Sequence, residues 1–166
     1  MASFTQIHSE DITQVRFLPS SPNILISSSV DGLICFTDCS NFCEDDALLS
    51  SLNVQSSVSK FSLLNAEMLS VLTDDQKFSL WNISDQSLLC QYGSVLSLDE
   101  SLGLNVNYGL DCHFIGSDLC LSVGNDDGEL GLVKLKPDPI ETKAWFKYGH
   151  TDSVRCLEFI DEVSFI

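Results

Sequence analysis

A chain of 166 residues that is 44% apolar and 19% charged can bury a sizeable core and is too hydrophobic to remain disordered. Its 24 acidic side chains against 8 basic ones give a formal charge of -16, and within residues 1–100 only Arg16, Lys60 and Lys77 are positive. Such a surface repels phosphate and disfavours direct binding to nucleic acid or an anionic membrane, and no apolar run approaches the roughly 20 residues that cross a bilayer.

From the amino terminus onward, apolar residues recur at a period of two in short bursts, as in Val15 and Phe17 or Phe78 and Leu80. Others run almost unbroken, as in Ile24-Leu25-Ile26 and Leu119-Cys120-Leu121. Bursts of about five to seven residues bounded by Gly, Pro, Asn, Asp and Ser are strand signals and are short for helices. Strands are predicted at 12–18, 23–29, 33–37 and 47–53, then at 57–63, 68–73, 77–82 and 87–92, then at 104–115, 118–124, 129–135 and 141–147. Asp31-Gly32 and Asp127-Gly128 fall between two bursts, where a tight turn needs a positive backbone dihedral that Gly accepts freely. The matching residues Asp31, Asp75 and Asp127 stand 44 and then 52 residues apart, a spacing at or just above that of the four-stranded blades of a propeller. Residues 84–103 carry the extra length. A fourth copy opens with Tyr148-Gly149-His150-Thr151-Asp152-Ser153-Val154 and is predicted to supply strands only near 153–159 and 162–166.

Four strands per repeat, a His before the first strand and a turn Asp six residues before a Trp-Asp position together resemble the WD-repeat family, whose repeats build β-propeller blades. Gly149-His150 matches the family's Gly-His pair, and His8 holds the same place in the first unit; four residues after these histidines stand Val154 and Ile12. The resemblance implies a structural hydrogen-bond set of His8, Ser27 and Asp31, with Thr37 where Trp is expected. The second unit keeps Asp75 and Trp81 without a His, and the third keeps Asp127 with Val133-Lys134 at the Trp-Asp position. On this resemblance His8, Ser27, Asp31, Asp75, Trp81, Asp127, Gly149 and His150 hold blades together. The fold class implied is all-β: a partial propeller over 1–166, with units at 8–53, 54–92, 104–147 and 148–166 and a ring not closed within the chain. The order of units narrows the resemblance to the carboxyl-terminal half of one member, through Ser57-Val58-Ser59, Thr73-Asp74-Asp75 and Gly149-His150 followed by Val154-Arg155.

Seven cysteines, at 35, 39, 43, 90, 112, 120 and 156, are an odd and scattered set, which suits free thiols in the cytoplasm or nucleus more than a disulfide framework. Cys35, Cys39 and Cys43 repeat every four residues but lack the second pair or later histidines of a zinc site. Residues 123–134 place Asn125, Asp127 and Gly128 as a calcium loop would, yet Val123 and Lys134 occupy the positions that need carboxylates. No phosphate loop, paired zincin histidines or nucleophile elbow is present. No catalytic residue, metal or cofactor is expected. The rival expectation is a metal-binding or hydrolytic β domain using His113, His150 and the cysteines.

Acidic residues gather at predicted turns and linkers: Glu44-Asp45-Asp46, Asp74-Asp75, Asp99-Glu100, Asp126-Asp127 and Asp161-Glu162. Turns of one kind converge on one face of a propeller, so Asp74, Asp126 and Asp152 are expected to share a surface that captures basic segments of other proteins. The expected function is a non-catalytic scaffold or adaptor for protein-protein interactions, without nucleic acid or membrane as partner. Since His8 precedes Asp31 by 23 residues, His150 calls for a turn Asp near position 173. The chain is therefore expected to be a fragment, poorly soluble alone because its strand edges lack partners.

Overall fold

The computed structural model describes residues 3–41, 43–98, 105–135 and 140–157. Their strands form three four-stranded antiparallel sheets, each a simple meander in chain order. The first holds β1 (Ile12–Leu18), β2 (Ser21–Ser29), β3 (Leu33–Asp38) and β4 (Leu48–Asn53). β5 (Val58–Leu63), β6 (Met68–Thr73), β7 (Lys77–Asn82) and β8 (Leu88–Ser94) form the second. The third is built of β9 (Tyr108–Ile115), β10 (Asp118–Gly124), β11 (Leu130–Lys134) and β12 (Glu141–Phe146). A meander needs only short connections, so each sheet closes its ladder at small entropic cost.

The sheets stack in sequence through two apolar cores. Ile26, Ile34, Phe36 and Leu52 of the first sheet pack with Val58, Phe61, Leu69 and Val71 of the second. Leu72, Phe78 and Leu80 on the other side of the second sheet pack with Cys112, Leu121, Val123 and Val133 of the third. The middle sheet is therefore covered on both faces, and Leu69–Thr73 is buried without a break, as Leu119–Gly124 of the third sheet is. The first strands stand side by side, β1 against β5 and β5 against β9, so the three sheets fan out from them as a partial, open propeller.

Each first strand carries a register irregularity near its start, between Ile12 and Gln14, between Val58 and Lys60, and on β9 opposite the Ser122–Val123 step. A bulge of this kind bends the strand and re-aims the side chains that follow. Two side-chain oxygens then tie neighbouring sheets: Gln14 Oε1 accepts from the Phe61 amide at 3.0 Å, and Gln76 Oε1 accepts from the Gly109 amide at 2.9 Å.

Two expectations need correction. The strand expected at 47–53 starts at Leu48, because residues 44–47 form the single turn α1 (Glu44–Ala47), in which the Ala47 amide bonds the Cys43 carbonyl at 2.9 Å and Ala47 is fully buried. The strand expected from residue 153 is absent over 153–157, which are irregular; no described strand lies beside them to pair with, and a strand exists only through its ladder. Residues 158–166, with the second strand expected there and Asp161-Glu162, lie outside the described residues, as do Asp99-Glu100.

Candidate interaction face

The second and third strands of each sheet are joined by the same turn. In Ser29–Leu33, Thr73–Lys77 and Asn125–Glu129 the fourth residue's amide bonds the first residue's carbonyl, at 3.2, 2.9 and 3.2 Å. That fourth residue is left-handed in all three, with φ of 83° at Gly32, 59° at Gln76 and 80° at Gly128. Glycine adopts this conformation without strain, whereas Gln76 pays a steric penalty that its bond to the third sheet offsets. The first residue's side chain closes each turn again: Ser29 Oγ accepts from the Asp31 amide at 3.1 Å, Thr73 Oγ1 from the Lys77 amide at 3.1 Å, and Asn125 Oδ1 from the Glu129 amide at 2.9 Å.

In the first unit the histidine of the incoming connector reaches the turn. His8 Nδ1 lies 3.0 Å from Asp31 Oδ2, and His8 Nε2 lies 2.8 Å from Ser27 Oγ. Asp31 also accepts the Ser9 amide at 3.0 Å and the Leu33 amide at 2.9 Å. Burial opposes its ionisation, but these amides and His8 outweigh burial and hold the carboxyl below its usual range. Ser27 and Thr37 are both buried, yet the hydrogen-bonded set joins His8, Asp31 and Ser27 and does not extend to Thr37.

Matching registers place Val54 in the second unit where His8 stands in the first. Without an imidazole there, an open cleft of about 320 Å3 lies among Val54, Ser56, Thr73, Lys77, Ser79 and Trp81. Asp75 turns to its neighbours instead, Lys77 Nζ at 2.6 Å, Thr73 Oγ1 at 2.5 Å and Ser56 Oγ at 3.2 Å. The bonds from Lys77 and Thr73 bring its carboxyl down to about 2. Trp81, which lines the cleft, donates from Nε1 to Ser79 on its own strand at 2.9 Å, while Asp75 is bonded to Lys77, Thr73 and Ser56, so the two are not joined.

In the third unit Asn125, fully buried, organises the turn in place of Asp127. Its Oδ1 accepts from the amides of Asp127 and Glu129, at 3.1 and 2.9 Å, and its Nδ2 donates to Glu129 Oε2 at 3.1 Å. The same Glu129 oxygen accepts from Trp145 Nε1 at 3.1 Å. Asp127 is exposed and contributes its amide alone. The main chain of His150 lies directly over Gly128, where a Cβ would come within 2.7 Å of the His150 carbonyl; Gly149 and the His150 ring are exposed. The sequence offers no sign of the role of Gln76 and marks Asn125 only as a calcium-loop position, although Asn125 occupies the position of Ser29 and Thr73 once the three turns are aligned.

Every one of these turns touches a connector between sheets, so turns and connectors share one end of the molecule. Gly32 faces Ser56, the Val95 amide bonds the Gln76 carbonyl at 2.7 Å, and Asn107 Oδ1 accepts from the Asp126 amide at 3.0 Å. Asp74, Asp126 and Asp152 are exposed at this end, with Glu10, Asp11 and Asp127. Ser57 donates to Asp74, and Ser153 donates to Asp126 at 3.3 Å. Lys77 stands among them but is engaged with Asp75.

The two histidines of the rival expectation stand on separate elements, with Cys120 opposite His113 in the β9–β10 ladder. His113 lies on β9, 3.5 Å from Asp111, while His150 is exposed on the last described connector. All seven cysteines are free thiols; Cys35 is buried, and burial together with the nearby Asp31 charge pushes its thiol up to about 11. No group of three or more His, Cys, Asp or Glu able to hold a metal ion occurs among the described residues.

No protein-family model matches the chain. It is 36% identical over 167 residues to WD repeat-containing protein GTS1 of Arabidopsis thaliana, covering 95% of this chain and 43% of that protein. The member suggested by the order of units is WD repeat-containing protein 89, whose homolog in Dictyostelium discoideum is 29% identical over 154 residues, covering 89% of this chain and 43% of the relative. An uncharacterized WD repeat-containing protein of Saccharomyces cerevisiae is 26% identical over 157 residues, covering 93% and 40%. The chain thus spans about two fifths of the length of the curated relatives it matches. Among solved structures, the computationally designed Ika8 protein superposes with a TM-score of 0.59 at 20% identity, over 93% of this chain and 42% of that one. The resemblance to WD-repeat proteins extends over about nine tenths of the sequence.

Proposed function

We propose that this chain is a non-catalytic scaffold segment whose turn-and-connector face captures basic segments of other proteins, in the cytoplasm or nucleus. Similarity to WD repeat-containing proteins supports an interaction scaffold as the broad role. The observation that carries the finer reading is the exposure of Asp74, Asp126 and Asp152, with Glu10, Asp11 and Asp127, at one end of a chain of charge -16. Carboxylates arranged on rigid turns attract a Lys/Arg-rich segment at long range and hold it by charge-assisted hydrogen bonds. The buried polar groups nearby are occupied in fixing backbone, as Asp31 and Asn125 are, which supports a structural and not a catalytic use.

Binding of a fluorescein-labelled peptide of alternating Lys and Arg, followed by polarization, tests this directly. The double substitution Asp74→Lys with Asp126→Lys is expected to weaken binding by on the order of tenfold or more at low salt, with the difference shrinking as salt screens the surface. Equal affinity for the wild type and the double variant would overturn the assignment of this face.

A further inference from the structure

Matching registers bring one position of each first strand to the same place: Arg16 opposite Ile26, Ser62 opposite Ser70 and Asp111 opposite Ser122. All three line an open cleft of about 350 Å3, together with Phe17, Pro19, Leu63 and His113. Pro19 lies just past the end of β1, and Leu63 and His113 lie near the ends of β5 and β9, so the cleft sits toward the end of the molecule away from the turn-and-connector face.

The charges in this cleft are unevenly satisfied. Asp111 is engaged by Lys60 Nζ at 2.7 Å, by His113 at 3.5 Å and by the Ser62 hydroxyl, and its own Oδ1 accepts from the Cys112 amide at 2.8 Å. Burial opposes ionisation there, but the bonds from His113, Lys60 and Ser62 outweigh it and keep the carboxylate charged. Arg16 is exposed, and its guanidinium has neither ion pair nor hydrogen bond among the described residues. Beside it Phe17 is 56% exposed. A guanidinium is weakly hydrated and presents a planar fork that matches a carboxylate in two parallel hydrogen bonds. With an ionised Asp111 on the same wall, a singly charged carboxylate suits the site better than a doubly charged phosphate.

We propose that this cleft binds a peptide segment of another protein in which a carboxylate side chain stands beside an aliphatic one, Arg16 anchoring the carboxylate and Phe17 with Leu63 receiving the aliphatic group. The site has the opposite charge preference to the turn face, stands on different residues and does not depend on that face binding anything.

The test uses the full chain on a solubility tag and three fluorescein-labelled peptides: Gly-Ser-Glu-Leu-Ser-Gly, the same peptide with Gln for Glu, and the same with phosphoserine for Glu. The Glu peptide is expected to bind saturably, with the Gln peptide on the order of tenfold weaker. Arg16→Gln is expected to reduce binding of the Glu peptide by about the same factor and Arg16→Lys by about threefold, since lysine keeps the charge without the fork. Both variants should melt as the wild type does, the side chain being exposed. Asp74→Lys with Asp126→Lys should leave this binding in place, which separates failure here from failure at the turn face. Equal affinity for the Glu and Gln peptides, tighter binding of the phosphopeptide, or full binding by Arg16→Gln would overturn the proposal.

Discussion

The first and third sheets hold the same turn by different means, and the difference separates two tasks that a single network conceals. In the third sheet Asn125 caps the turn from inside it, bonding amides two and four residues ahead. In the first, Ser29 does the local capping, while His8 reaches across 23 residues to Asp31 and across 19 to Ser27. Shaping the turn is therefore a local matter, and the histidine serves to pin the incoming connector. The second sheet keeps the local cap through Thr73 but has Val54 in place of a histidine, and there the connector stands beside an open cleft.

The largest effect is expected in the third sheet. Asn125→Ala leaves the part-buried amides of Asp127 and Glu129 without their acceptor and empties the buried Asn125 site, and should cost about 3 kcal/mol, read as a lowered denaturation midpoint. A loss below about 1 kcal/mol would show that Asn125 is not the organising residue. His8→Ala is expected to cost less, about 1–2 kcal/mol, and to speed hydrogen exchange at the Ser9 and Leu33 amides while leaving the third turn protected. A double-mutant cycle of His8→Ala with Asp31→Asn should give a coupling of about 1 kcal/mol, and Val54→Ala with Asp75→Asn none; equal couplings would break the comparison.

Acid should reveal the same carboxylates. Asp31, Asp75 and Asp111 all titrate below the ordinary aspartate value when folded, Asp75 at about 2. A depressed folded value stabilises the protein above the unfolded value of about 3.9, and that stability is lost as pH falls toward the folded value, at no more than about 1.4 kcal/mol per pH unit for each group. Urea midpoints measured from pH 6 down to pH 2 should therefore fall mainly below pH 4, and Asp111→Asn should flatten the fall; an unchanged slope would contradict the role given to Lys60, His113 and Ser62. The smallest change is expected for Gln76→Gly, which relieves the left-handed strain but removes the acceptor for the Gly109 amide. The two should cancel to within about 1 kcal/mol, leaving faster exchange at Gly109 as the visible result.

Much of the architecture was legible because meanders of short strands are written locally, in two-residue alternation and in the Asp31-Gly32 and Asp127-Gly128 turns. The middle strands could be placed even without alternation, since runs such as Leu69–Leu72 and Leu119–Val123 are short and bounded by turn residues. What escaped was information that arises only between distant segments. Gln76 offers no glycine signal at a left-handed position, and its purpose lies 33 residues away at Gly109. The Asp111 cluster depends on bulges that align β5 with β9. Asn125 reads from sequence as a loop residue at a calcium-loop position, because its partners, the turn's own amides, have no side-chain signature. The turn at 44–47 has no apolar period to announce it, and a strand at 153–157 was read from alternation that no described neighbour answers.

The middle sheet's two covered faces also set the order in which the structure comes apart. In a stack where each unit contacts only its neighbours, releasing an outer sheet sacrifices one interface and releasing the inner one sacrifices two. For the 166-residue chain taken alone, loss of order should therefore begin at β1–β4 or β9–β12 and move inward, so that β5–β8 is the last of the three sheets to yield to a protease and depends on both flanking sheets for its endurance.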